Sequence, residues 1–163
     1  MLHTVALNSS HKKNLFTCEE PSLESYLRKQ AGQDVKRQVA ACFVLEGEDG
    51  AIKGYYTLSA DSVDRALIPK SLQKKLPYRN LPVPLLGRLA RDTSYKGKGI
   101  GELLLADALR RAYQASSSIG AWAVVTDPIN KKARAFYEGF GFVSLESGRM
   151  FIPMETIETS SSI

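Results

Sequence analysis

Lys96-Gly97-Lys98-Gly99-Ile100-Gly101 stands between an apolar run that ends at Arg91 and a helical pattern that begins at Ile100. Glycines at alternate positions let a backbone approach an anion without side-chain interference. The helix that follows turns its unpaired N–H groups and its positive dipole end toward the same spot. Lys96 and Lys98 add charge for a diphosphate. Two familiar phosphate loops fail here. A dinucleotide loop requires a last glycine where Glu102 stands, and a Walker loop requires Ser or Thr where Gly99 follows Lys98. What remains is an anion cradle between strand and helix, or a plain glycine turn.

Upstream of this turn, Leu85 to Arg91 reads as a strand. Downstream, Ile100 to Ala115 carries apolar residues at 100, 103, 104, 108 and 109, a helical period. A strand follows at Ala121–Val125, then a short helix from Asn130 to Gly139 stopped by glycine. Phe140–Val143 and Met150–Met154 make two closing strands. In the first half, Pro21 opens a helix with apolar residues at 23, 26, 27 and 31. Val39–Leu45 and Ile52–Leu58 form a hairpin about the turn at Glu46–Gly50. Residues 66–80 form a polar excursion with one short helix, closed by Leu81-Pro82-Val83-Pro84.

The chain has 163 residues, which fits one domain with a sizeable core. The reading is a single domain over residues 1–155 and a flexible Ser/Thr-rich tail at 156–163. No apolar run reaches the roughly 18 residues of a membrane span, and the N-terminus lacks a cationic start followed by an apolar stretch. The expectation is a cytoplasmic protein without membrane association. Cys18 and Cys42 lack metal-ligand spacing and read as reduced core thiols, so no metal is expected. His3 and His11 are expected near the surface. The net charge is +5, and from Arg65 to Arg91 seven basic residues occur with no Asp or Glu among them. That stretch is a footprint for a polyanion or a solvated face.

The loop Lys96-Gly97-Lys98-Gly99-Ile100-Gly101 resembles R/Q-x-x-G-x-G/A, the coenzyme A loop of the GNAT acetyltransferases, with lysine in the first position. Asn130-Lys131-Lys132-Ala133-Arg134-Ala135-Phe136-Tyr137-Glu138-Gly139-Phe140-Gly141-Phe142 resembles that family's second signature, N-x-x-A-x-x-x-Y…GF. The resemblance implies an α+β fold whose mixed, mostly antiparallel sheet splays between its middle strands, with a thioester in the gap. It implies acetyl-CoA as co-substrate, bound by Leu89, Ala90, Arg91, the loop residues Lys96 to Gly101 (including Ile100), and Asn130, Ala133 and Phe136. Backbone N–H groups around Leu89 to Arg91 would polarise the thioester carbonyl. Tyr137 matches the tyrosine that commonly serves the leaving sulfur. Residues 133, 136, 137 and 140 also share one helix face, so spacing alone equally allows Tyr137 as core. No general base is evident, which suits an α-amine with a pKa near 8 better than a lysine near 10.4.

Further segments resemble one GNAT subgroup, the toxins of bacterial toxin–antitoxin pairs: Leu15-Phe16-Thr17-Cys18, Gly54-Tyr55-Tyr56-Thr57-Leu58-Ser59 and Val83-Pro84-Leu85-Leu86-Gly87-Arg88-Leu89-Ala90. Two positions depart from that pattern: Arg91 stands where an apolar residue is common, and Glu19 where glycine is usual. The subgroup implies acetylation of the α-amine on aminoacyl-tRNA, a ribbon-helix-helix antitoxin as partner, and a homodimer. Lys74, Lys75, Arg79 and Arg88 are then candidate RNA contacts, with Lys131, Lys132 and Arg134 as a second basic cluster. Two other readings stay open: acetylation of a small amine or protein N-terminus, and a non-catalytic acetyl-CoA-binding module.

Overall fold

The computed structural model describes residues 2–161. The first half comprises β1 (Val5–Ala6), α1 (Pro21–Lys29), α2 (Ala31–Lys36), β2 (Ala41–Glu46), β3 (Ile52–Asp64) and α3 (Lys70–Gln73). The second comprises β4 (Asn80–Arg91), α4 (Ile100–Ile119), β5 (Ala123–Thr126), α5 (Lys131–Gly139), β6 (Val143–Ser144), β7 (Met150–Pro153) and α6 (Met154–Ser161). The seven strands form one sheet in the order β1-β2-β3-β4-β5-β7-β6. β4 and β5 run parallel, while β1–β2, β2–β3, β5–β7 and β6–β7 are antiparallel. This is the mixed, mostly antiparallel sheet of the α+β fold that the family resemblance implies.

The chain divides into two compact units, Met1–Ser59 with Gly87–Ala108, and Ala60–Leu86 with Leu109–Ile163. In the first, Pro21 opens α1, and Arg28 and Lys29 sit in its last turn, favourable toward the helix dipole. Leu27 and Tyr26 turn inward against Phe16, Val44, Ile52 and Tyr55. Tyr55 stacks on Tyr26, meets Phe16 edge-on, and donates to the Leu23 carbonyl at 2.6 Å. Gly54 in β3 is required by space: a Cβ there would meet Leu104 Cδ1 at 2.7 Å and the Ala90 carbonyl at 2.9 Å. Asp107 on α4 is buried, and it accepts from the Thr4 hydroxyl, the Tyr56 hydroxyl and the His3 backbone. It pins the N-terminal segment to α4.

In the second unit Val63, Ile68, Leu81, Val83, Val125 and Phe151 share a core, with Leu72, Leu76 and Trp122 packed on it. β4 starts at Asn80, earlier than the two prolines suggest. In a strand the N–H and C=O of one residue point the same way, and the Pro82 carbonyl accepts from Trp122 N–H at 2.8 Å. The missing donors of Pro82 and Pro84 therefore face the β5 side. Registered pairing there covers only Leu85↔Val125 and Leu86↔Thr126, so no ladder bond is lost.

Three expectations need correction. The tail is helical from Met154 through Ser161, with Ile157 buried; residues 162 and 163 lie outside the described residues. One anchored apolar side chain outweighs a composition poor in helix formers. His11 is buried rather than superficial: its Nδ1 accepts from the Asn8 N–H, and its Nε2 lies 2.9 Å from Glu46 Oε2. Cys18 is half-buried, while Cys42 is buried; both are free thiols. Among the described residues no helix is long and apolar enough to cross a membrane.

Candidate active site

In the first unit β4 ends at Arg91, and the chain enters the glycine loop through Asp92. Leu89 and Arg91 are half-buried, while Ala90 is buried in the core that holds Phe16 and Tyr55. Asp92 is the joint. It accepts from Thr17 N–H at 3.0 Å, Ser94 N–H at 2.9 Å and Ser94 Oγ at 2.6 Å. Burial pushes its carboxyl up, but the hydrogen bonds from Ser94 and Thr17 outweigh that and hold it below the usual carboxylate range. The two departures from the subgroup pattern meet here, with Arg91 Nη1 3.3 Å from Glu19 Oε1. Each has brought its own partner, so neither is an isolated oddity.

Past Asp92 the loop fits an anion. Gly97 and Gly99 have φ of 77° and 73°, the left-handed region that favours glycine. A Cβ at Gly97 would meet nothing within 4 Å, so the backbone borders open space. Ile100 is buried and anchors the start of α4, while Lys96, Gly97, Lys98 and Gly99 are exposed and Gly101 half-buried. The first N–H groups of α4 have no carbonyl four residues earlier within the helix. Lys98 and Lys53 flank the Tyr95 ring, with their ammonium groups 5.4 and 5.5 Å from its centroid. These residues fit the diphosphate of coenzyme A: open space, free donors, and positive charge.

In the second unit Asn130 caps the start of α5, its Oδ1 accepting from Ala133 N–H at 2.8 Å. Both residues of the second signature thus meet in a helix cap. One turn on, Phe136 is half-buried and packs against the rings of Tyr137 and Phe140. Tyr137 is buried, with Phe142 on its other side. Burial raises its pKa above the ordinary tyrosine value, and the polar Thr126 side chain offsets only part of that. At neutral pH the hydroxyl is protonated, so its chemistry is to give a proton, not to take one.

The candidate RNA contacts divide. Lys74, Lys75 and Arg79 are exposed on the excursion between β3 and β4, beside Tyr78, which is 71% exposed. Ile68, Leu72 and Leu76 are spaced by four; the first is buried in the second unit's core and the other two pack half-buried against it, leaving the basic residues outward. Arg79 has only a loose pair with Asp64, at 3.6 Å. Arg88 is different: it is half-buried, with its guanidinium 3.6 Å from the centre of the Tyr26 ring. In the other basic cluster Lys131 and Lys132 are exposed, whereas Arg134 donates to Ser144 Oγ and the Gly148 carbonyl, clamping the turn between β6 and β7. Thr126 and Asp92 escape sequence reasoning, because a threonine closing an apolar strand and an aspartate after one are ordinary in both places.

The comparisons agree with this geometry. The acetyltransferase (GNAT) family model matches residues 10–142. A tRNA-acetylating toxin of Mycobacterium tuberculosis is 41% identical over 127 residues, covering 78% of this chain and 75% of that protein. The solved structure of AtaT complexed with acetyl-methionyl-tRNAfMet superposes with a TM-score of 0.91 at 31% identity, covering 97% of this chain and 98% of that one. An AtaT mutant toxin bound to the C-terminus of its antitoxin AtaR and to acetyl-CoA gives 0.84 at 25% identity, covering 98% and 97%. With both signatures in place and the family model spanning both units, the chain belongs to the GNAT family of acetyltransferases and uses acetyl-CoA.

Proposed function

We propose that this acetyltransferase is a toxin that acetylates the α-amine of the amino acid on charged tRNA and so blocks translation. The observation that carries the reading is the acid-free excursion, whose buried Ile68 and half-buried Leu72 and Leu76 leave Lys74, Lys75, Tyr78 and Arg79 exposed to solvent. Such a face binds a phosphate backbone through its cations and an unpaired base through its aromatic ring. The likeness to the tRNA-acetylating toxin and to the tRNA-bound AtaT supports it. So does the likeness to AtaT bound to AtaR, which points to an antitoxin as partner; the subgroup resemblance implies a ribbon-helix-helix one. The resemblance also implies a homodimer and a cytoplasmic site of action, where charged tRNA is found.

Acetyl-CoA supplies an acetyl group already activated as a thioester. The loop from Lys96 to Gly101 holds the diphosphate through backbone N–H groups and the Lys96 and Lys98 side chains. Asn130, through its cap to Ala133, sets the start of α5, and Phe136 borders the coenzyme. Backbone N–H groups from Leu89 to Arg91 hold the carbonyl oxygen as negative charge grows on it. Tyr137 gives its proton to the departing sulfur. No base on β4 serves the nucleophile, because Asp92 commits its oxygens to Thr17 and Ser94. An α-amine, appreciably neutral near its pKa of about 8, needs none. Residues 1–155 act as one working domain, since β3, β4 and α4 each continue from one unit into the other.

The test is growth after induced expression of the wild type and of Tyr137→Phe, with mass analysis of aminoacyl-tRNA from both cultures. Arrest with the wild type alone, accompanied by N-acetylated aminoacyl-tRNA, is the expected result. Normal growth on well-folded, acetyl-CoA-binding protein overturns the toxin reading and turns attention to small amines and protein N-termini.

A further inference from the structure

The backbone ladder between β5 and β7 ends at Thr126↔Met150, and its register carried one step further sets Asp127 across from Arg149. Side chains take over there. Arg149 Nε donates to Asp127 Oδ1 at 2.9 Å and its Nη2 to Asp127 Oδ2 at 3.0 Å, a two-pronged bond. The remaining nitrogen, Nη1, lies 3.2 Å from Asp61 Oδ2 on β3. Arg149 is itself anchored, since its carbonyl accepts from the N–H of buried Leu145 at 2.7 Å. On the other side of the same turn, Arg134 of α5 donates to the Gly148 carbonyl and to Ser144 Oγ. The ties close a ring that runs from Asp127 through the loop to Asn130, along α5 to Arg134, across to Gly148, and back through Arg149. All of it lies within the second unit.

We infer that Arg149 is a positioning residue for acetyl-CoA, acting through Asp127 to fix where α5 starts. This rests on α5 serving the coenzyme through Asn130, Ala133 and Phe136, as proposed above. The helix cannot fix its own start. It has nine residues, below the ~12–15 that an isolated helix needs to hold in water. The loop ahead of it offers few holds of its own: Pro128 has no N–H to donate, and Ile129 is 51% exposed. Asp127 is the residue by which that loop is gripped, and a two-pronged bond fixes direction as well as distance. Arg149 is half-buried, so the pair keeps more of its attraction than one fully open to water. The two carboxylates on Arg149 therefore have different consequences. Asp127 leads along the chain to Asn130 and α5, whereas Asp61 leads into β3.

The experiment measures acetyl-CoA binding by titration calorimetry, with urea midpoints alongside, for the wild type, Asp127→Asn, Arg149→Gln, both together, and Asp61→Asn. Asp127→Asn and Arg149→Gln are each expected to raise the Kd about fivefold, and the double variant no further, because the two residues make one tie. Asp61→Asn is expected to lower the urea midpoint yet keep the Kd within about twofold of the wild type. In acetylation of charged tRNA, KM for acetyl-CoA follows the Kd while KM for the tRNA stays at its wild-type value. Arg149→Lys replaces Arg149→Gln if that variant does not fold; a lone ammonium cannot supply the fork, so the same direction is expected. Wild-type Kd values in Asp127→Asn and Arg149→Gln, with Phe136→Ala binding weakly, overturn this inference alone. So does an equal rise in Asp61→Asn or an additive double variant, since the ring would then act through general stability. If Phe136→Ala binds acetyl-CoA like the wild type and Tyr137→Phe keeps the wild-type rate, α5 does not serve the coenzyme, and the proposed chemistry falls together with this inference.

Discussion

Asp92 shows how one side chain can set the aim of a loop. Three donors converge on it from Thr17 and Ser94, so it ties the end of β4 to the segment before α1 just ahead of the glycines. Asparagine has one acceptor oxygen and no charge, so Asp92→Asn should lower stability by about 1–2 kcal/mol at neutral pH. The pH dependence has a definite sign. A carboxyl held below its unfolded value near 3.9 contributes stability that is complete above that value and lost as pH falls through the folded one. The gap between wild type and Asp92→Asn should therefore stay constant from neutral pH to about 5 and close below it. Urea unfolding midpoints at pH 7, 5 and 3 measure this; a gap that persists undiminished at pH 3 would mean the aspartate acts through shape rather than charge. The ion pair of Arg91 with Glu19 next to it is of the ordinary exposed kind, worth at most about 1 kcal/mol. Its interest lies in joining two positions that depart together.

At the scale of elements, the excursion between β3 and β4 is the segment through which the proposed substrate is tested most directly. Changing Lys74, Lys75 and Arg79 together to alanine should raise KM for charged tRNA at least tenfold and leave KM for acetyl-CoA unchanged. The slope of log KM against log salt should fall by about 2, near 0.7–0.9 for each phosphate no longer neutralised. Tyr78→Ala should raise KM about tenfold through weaker base stacking with the salt slope intact, and Tyr78→Phe should behave as wild type. Unchanged affinity and slope in the triple variant would detach this element from RNA. The elements themselves were unequally legible. α4 and α5 stand out by apolar periods and glycine stops, and the glycine loop by its alternate glycines ahead of α4, whereas the role of Tyr137 is legible only through the family resemblance, since its spacing equally suits a core residue. β1 has only two residues, both exposed, and takes its strand form from pairing with β2. α6 hides in a Ser/Thr-rich tail because its register depends on Ile157 finding a core. The Thr17 bond to Asp92, the Arg91–Glu19 pair and the Thr126 bond to Leu86 join residues 75, 72 and 40 positions apart, which no local pattern carries.

For the molecule as a whole, the residues buried under α1 set a limit at alkaline pH. Burial pushes the Cys42 thiol up to about 12 and, with the Asp34 bond adding to it at Tyr26, pushes Tyr26 and Tyr55 far above the usual tyrosine range. The Arg88 guanidinium on the Tyr26 ring pulls the other way and does not prevail. In the unfolded chain the same groups ionise near 8.5 for cysteine and 10 for tyrosine. Each folded value is raised, so each group's contribution is complete below its unfolded pKa and is lost as pH climbs toward the folded one. Stability should hold to about pH 8.5 and then fall by about 1.4 kcal/mol per pH unit as Cys42 begins to favour the unfolded chain. The fall should steepen above pH 10, where both tyrosines join. Cys42→Ala separates the two phases: it lowers stability at pH 7 by loss of packing, but its curve should fall less steeply between pH 8.5 and 10, where only the half-buried Cys18 thiol, also raised by burial, remains. Since Ala90 belongs to the same core, acetyl-CoA binding should disappear with the unfolding transition rather than before it. Denaturation at half-unit steps from pH 7.5 to 11, with acetyl-CoA binding followed alongside, decides the matter. A wild-type curve still flat at pH 10.5 would mean that these three groups open to solvent without unfolding the protein.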